Sequence, residues 1–197
     1  MKTPHILYST ASLALMLSLP VGASTIFNGY AYVSPASAGV DATWYDLSGT
    51  AQSQDFEGAD LGDFATTLWL GGQTGFWSEG NGVEFIQLNY SISGAAAASG
   101  TISYAFQSYS DPNDQWGTDV NGLNITDNSK DLIATHSLPE GDYSIAVWVE
   151  GKAFNQSSIY DSNGGSNFNA TFTVVPEPGA AALGLLGTLM LLRRRRF

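Results

Sequence analysis

Along residues 86–92, Ile-Gln-Leu-Asn-Tyr-Ser-Ile, apolar and polar side chains alternate without a break, so Ile86, Leu88, Tyr90 and Ile92 share one face. A period of two is the mark of a strand with one face buried. The same alternation predicts strands over 101–106, 143–149 and 168–174, and these four are expected to form the backbone of the core. Shorter apolar runs bounded by glycine, serine or aspartate predict further strands over 25–33, 42–45, 66–70 and 132–136. The stretch 94–100, Gly-Ala-Ala-Ala-Ala-Ser-Gly, is too short for a stable helix and reads as a loop between two strands, with at most one helical turn. Pro139-Glu140-Gly141-Asp142 predicts a turn into the strand at Tyr143. Short strands with turn residues between them and no sustained helical period imply an all-β fold. The expected form is an antiparallel two-sheet β-sandwich of jelly-roll or immunoglobulin-like type.

The two ends follow other rules. Met1 to His5 carry one lysine and no acid, and they lead into the apolar run 11–19, then Pro20 and Val21-Gly22-Ala23. That order is a secretory signal, with signal peptidase expected to cut between Ala23 and Ser24. At the other end Val175-Pro176-Glu177-Pro178 precedes an apolar segment, 179–192, and then Arg193-Arg194-Arg195-Arg196. The proline pair disfavours helix, the apolar segment suits a bilayer, and the arginines hold the last residues on the cytoplasmic side. This tripartite tail resembles the PEP-CTERM sorting signal of Gram-negative bacteria. The resemblance implies recognition by an exosortase, transient residence in the inner membrane through residues 179–192, and delivery to the cell surface or extracellular matrix. It also implies an association with exopolysaccharide and biofilm. The expected organisation is a signal peptide over 1–23, a β-sandwich domain over 24–174 and a sorting signal over 175–197.

Charge and composition narrow what the domain can do. Of seven basic residues only Lys130 and Lys152 lie between the two ends, so the domain is far more acidic than the net charge of -11 for the whole chain. Such a surface repels nucleic acid, which is excluded as a partner. Cysteine is absent, which removes disulfides, thiolate metal sites and a cysteine nucleophile. His136 is the one histidine of the domain, and no Gly-x-Ser-x-Gly elbow accompanies it. Glu79, Glu84, Glu140 and Glu150 show no spacing that sets two carboxylates across a cleft, as a glycosidase requires. No catalytic residue is assigned, and a hydrolase would need two carboxylates, or His136 with a partner, to converge in one pocket. Two loops, 111–119 and 161–167, gather oxygen ligands of the kind calcium takes, but neither has the EF-hand order. Asx turns account for the same residues without a metal, and no cofactor is assigned.

One set of residues points to a ligand. Trp148 falls on the opposite face of its strand from Tyr143, Ile145, Val147 and Val149, so it is expected outside the core, where an indole can stack on a sugar ring. Trp69, Trp77 and Trp116 lie near loops and could serve similarly. Residues 159–172 resemble the penultimate loop and last strand of starch-binding β-sandwich modules, with tyrosine and serine in place of the usual tryptophan and asparagine. That resemblance implies Tyr160, Asp161, Asn163 and Asn167, together with Trp148, as candidate glycan-binding residues. The same asparagines, with Gly164 and Gly165, can instead bond to loop backbone and fix the closing strand. The function expected is a non-enzymatic surface or matrix component, or alternatively a carbohydrate-binding module for extracellular polysaccharide.

Overall fold

The structure is a computed structural model that describes residues 23–36, 41–47, 54–79, 82–110, 113–118, 128–177 and 179. The strands in chain order are β1 (Ser24–Ser34), β2 (Thr43–Asp46), β3 (Gln54–Asp55), β4 (Ala59–Phe64), β5 (Trp69–Ser78), β6 (Val83–Gly94), β7 (Ala98–Ser103), β8 (Ala105–Ser110), β9 (Asn113–Gly117) and β10 (Lys130–Asp131). A short helix α1 (Leu132–His136) follows, then β11 (Gly141–Ala153), β12 (Ile159–Asp161) and β13 (Phe168–Val174). One sheet runs β3-β2-β1-β5-β9-β8, with β10 also on β5; the other runs β4-β13-β11-β6-β7, with β12 also on β11.

Alternation explains the second sheet. Ile86, Leu88, Tyr90 and Ile92 of β6 are buried beside Tyr143, Ile145, Val147 and Val149 of β11 and Phe168, Ala170, Phe172 and Val174 of β13. Register sets them side by side, Ile145 between Ile92 and Ala170 and Val147 between Tyr90 and Phe168. The rings of Tyr143 and Phe172 stack at 5.0 Å. Facing them from the first sheet are Ala31, Val33, Leu70 and Phe76, which belong to the same core cluster. Phe76 lies against Gly151 of β11, where a Cβ would meet its ring. The all-β expectation therefore holds, as two sheets around one core.

Three expectations are corrected. The sheets are mixed rather than purely antiparallel: β4 runs parallel to β13, and β3 parallel to β2. The reason is a crossing between sheets just after β3, where the Gly58 amide donates to Asn169 O at 2.7 Å and starts β4 along the edge of β13. The single strand expected over 101–106 is two, β7 in one sheet and β8 in the other, divided at Tyr104. Tyr104 keeps the inward parity of Ile102 and is itself buried, so the alternation continues through the change of sheet. Residues 132–136 form helix rather than strand. The Asp131 carboxylate accepts from Ile133 N at 3.1 Å and Ala134 N at 3.2 Å, which caps a helix start. The 94–100 stretch divides: Ala95 to Ala97 connect β6 to β7 without a helical turn, and the rest belongs to the strands.

The ends of the sandwich matter for its use. Near Ser24, its hydroxyl donates to Gln156 Oε1, Glu79 N donates to Ala23 O at 3.0 Å, and Phe154 N donates to Gly82 O at 2.9 Å. At the far pole Val174 pairs with Gly141, and Val175 N donates to Phe64 O at 2.9 Å. β11 joins the two poles with 13 residues, which span roughly 40 Å when extended.

Asp131 also accepts from Leu68 N at 3.1 Å while only 9 % exposed, so one oxygen serves three backbone donors. Asp131→Ala leaves buried amides unpaired, and we expect a loss of about 2–4 kcal/mol in urea unfolding, with Asp131→Asn recovering a good part of it.

Candidate functional site

The second sheet turns one face to the core and the other outward, and parity assigns each side chain. Trp148 lies opposite Asn89, Glu150 opposite Gln87 on one side and Tyr160 on the other, and Asn89 opposite Thr101. Directly opposed residues share a face, so these side chains from β7, β6, β11 and β12 form one outer surface. Trp148 and Tyr160 are diagonal neighbours, which places aromatic side chains within reach at a spacing of about 7–8 Å. Tyr160 is 58 % exposed and Trp148 half-buried. The next row along the face, Ser99, Ser91 and Ala146, is small.

Glu150 is the hub of this surface. Its Oε2 accepts from Gln87 Nε2 at 2.9 Å and Asn89 Nδ2 at 3.3 Å, and its Oε1 accepts from Tyr160 Oη at 3.3 Å. Thr101 Oγ1 donates to Asn89 Oδ1 at 3.0 Å and extends the network to β7. Partial burial alone would raise the carboxyl's pKa, but the hydrogen bonds from Ser158, Gln87, Asn89 and Tyr160 outweigh it and lower the value. Glu150 is therefore held as a carboxylate. Chemically, the face offers two aromatic rings for stacking, the Glu150 carboxylate next to both, and Gln87 and Thr101 on the strands beyond.

A second feature lies where β12 passes β1 and β2. A cleft of about 360 Å³ is lined by Asn28, Asp46, Asp55, Glu57, Asp161 and Asn163, among others. It exists because β1 bulges between Phe27 and Tyr30, with Asn28 at φ 46°, and because residue 29 is glycine: a Cβ there would sit 2.9 Å from Asp161 Oδ2. Burial, and then the charge of Asp46, push the Asp161 carboxyl up to about 6. Carboxylates thus do converge, which the spacing in the sequence did not reveal. Asp46 is only 1 % exposed, whereas Asp55 and Glu57, which line the same cleft, are exposed.

The five candidate glycan residues do not form one site. Trp148 and Tyr160 share the outer face. Asp161 is opposite inward-facing Val149 and turns into the cleft, which Asn163 also lines. Asn163 and Asn167 have φ of 47° and 60° and serve the loop: Asn163 Nδ2 donates to Asn167 O at 3.3 Å, and Asn169 Nδ2 to the same oxygen at 3.2 Å. Glu57 holds the loop from outside by accepting from Asn169 N at 2.7 Å. Asparagine amides donating to the Asn167 carbonyl, with backbone bonds to Ser162 O, thus tie 161–167 together, and among the described residues no three His, Cys, Asp or Glu side chains are grouped to hold a metal. His136 lies on α1 with Nε2 2.8 Å from Tyr90 Oη. Trp116 packs partly buried against Phe106, while Trp77 is 37 % exposed near Ser24.

Sequence reading missed Glu150's role and its partners Gln87 and Asn89. Their outward parity is visible in the alternation, but their convergence depends on strand order. At the termini, Ala23 is exposed and Ser24 opens β1, and Val175, Pro176 and Glu177 follow β13, the last two exposed. Pro178, Arg193, Arg194, Arg195 and Arg196, the segment 180–192 and residues 1–22 lie outside the described residues. Among the described residues no helix is long and apolar enough to cross a membrane. No family model matches the chain, and no curated protein matches it.

The raised Asp161 value has a signed consequence. Folding favours its protonated form, so its contribution to stability is complete below about pH 4 and is lost as pH rises through about 6. Asp161→Asn should flatten stability across that window and raise it at neutral pH. Urea unfolding at a series of pH values checks this; an unchanged pH profile would count against the burial of Asp161 and its repulsion by Asp46 together.

Proposed function

We propose that this chain is an exported, exosortase-sorted, non-enzymatic component of the cell surface or extracellular matrix. The observation that carries this reading is how the last strand ends. Val175 makes the closing backbone bond to Phe64 O, and Pro176 and Glu177 emerge exposed directly after it. A sorting enzyme needs an extended, accessible segment beside a finished domain, and proline keeps the segment out of strand and helix alike. Ser24 likewise begins the first strand, so a cut after Ala23 would remove the bond from Glu79 N but keep the β1–β5 ladder.

In the finer fold, we assign the sandwich to the jelly-roll or immunoglobulin-like types. Its support is a chain that crosses between the sheets after β3, β4, β5, β7 and β10, as Greek-key sandwiches do. A second reading, polysaccharide binding, is favoured by a specific observation: Trp148 and Tyr160 flank the Glu150 network on an outer face. Stacking on such rings, with polar groups between them for sugar hydroxyls, is the ordinary physics of glycan recognition.

Intact mass and fractionation of the protein from its native host, with and without the exosortase, test the sorting reading. The expected secreted form starts at Ser24 and ends near Pro176, with full retention in the membrane when the exosortase is deleted. A complete C-terminus in both strains would sink it. For the second reading, Trp148→Ala should weaken saturable binding to matrix polysaccharide at least about tenfold with unfolding unchanged.

A further inference from the structure

Which sugars such a face would prefer is decided by charge, and here the outer surface around Glu150 is specific. The carboxylate is held by neutral donors alone: Gln87, Asn89, Ser158 and Tyr160 all donate, and none brings a positive charge. Lys152, two residues further along β11, is committed to Glu84 at 2.9 Å. The only other lysine of the domain, Lys130, lies on β10 in the other sheet. Glu150 therefore presents a fixed negative charge beside Trp148 and Tyr160, whose rings attract cations to their faces. The acidic domain around it draws in positive ligands and repels negative ones.

From this we propose that the Trp148–Glu150–Tyr160 surface binds polysaccharide carrying free amines, such as a deacetylated hexosamine polymer, in preference to neutral or uronic-acid chains. The proposal rests on the polysaccharide-binding reading and adds the ligand class. A hydroxyl arriving at Glu150 would only replace a neutral hydrogen bond already made. An ammonium adds an attraction that none of the four donors supplies. The indole and phenol rings then take the apolar faces of successive sugar rings, while buried Asn89 holds Glu150 in place from behind.

The test is titration calorimetry of the full chain in detergent with three soluble hexamers: β-1,4-linked glucosamine, its N-acetylated form and a uronic acid. Below the amine's pKa the glucosamine hexamer should bind about tenfold tighter than the acetylated one, and the uronate should not bind. The preference should fade with salt and as the amine loses its proton. Glu150→Gln should abolish the preference, with the glucosamine hexamer losing far more affinity than the acetylated one, and Trp148→Ala should weaken both. Glu140→Gln, an exposed acid beyond this face, should leave the preference intact. Equal binding of the glucosamine and acetylated hexamers, or a preference that survives Glu150→Gln, overturns the amine proposal while polysaccharide binding stands. So does an equal loss in Glu140→Gln, which would show diffuse charge attraction. No binding of any hexamer overturns both.

Discussion

Everything in this sandwich depends on the register of β11. It pairs with β6 along nearly its whole length and on its other edge with β13 and then β12, so it is the axis of the second sheet. Ile145, Val147 and Val149 are essentially sealed from water, each contributing roughly 1.5–3 kcal/mol. A slip of one residue would expose all three and drive Trp148 and Glu150 into the core. The same burial that stabilises the fold thus holds the outer surface in place: Trp148 and Glu150 face outward because their neighbours cannot.

β12 applies this logic over three residues and with opposite results for adjacent side chains. Tyr160 goes outward to meet Glu150, and Asp161 goes inward to the cleft by Asp46. The cleft has room for Asp161 because the residue in the β1 bulge nearest to it, Gly29, carries no Cβ. An alanine at position 29 would crowd Asp161, and an unbulged β1 would carry a side chain toward it. Two adjacent residues of one short strand therefore belong to different surfaces with different electrostatics.

How far the sequence disclosed this follows from what each element records. The stretches 86–92, 143–149 and 168–174 were readable because alternation is the direct imprint of one-sided burial. Most of β5 was not: Gly71 and Gly72 leave room for the rings of Tyr32 and Tyr104, so the volume that fills this strand's surroundings is written elsewhere in the chain. The helix at Leu132 was missed since Asp131 both caps it and binds Leu68, a partner 63 positions away. Trp148 could be placed by parity alone. The Glu150 hub could not, because its partners come from β6 and β12 and from Ser158, and only strand order brings them together. The inward turn of Asp161 was equally hidden, since a three-residue strand is too short to display its own parity.

The placement of Ser24 and Val175 at opposite poles has a mechanical meaning. Tension applied between Ser24 and Val175 acts along the strands, so the ladders of β1 with β5 and of β13 with β11 are loaded in shear. In that direction many backbone bonds must fail at once, rather than one after another as when a hairpin is peeled. Were the chain held at its carboxyl end, the sandwich would stand as a stiff strut whose free tip carries Trp77 and Phe154, both open to solvent.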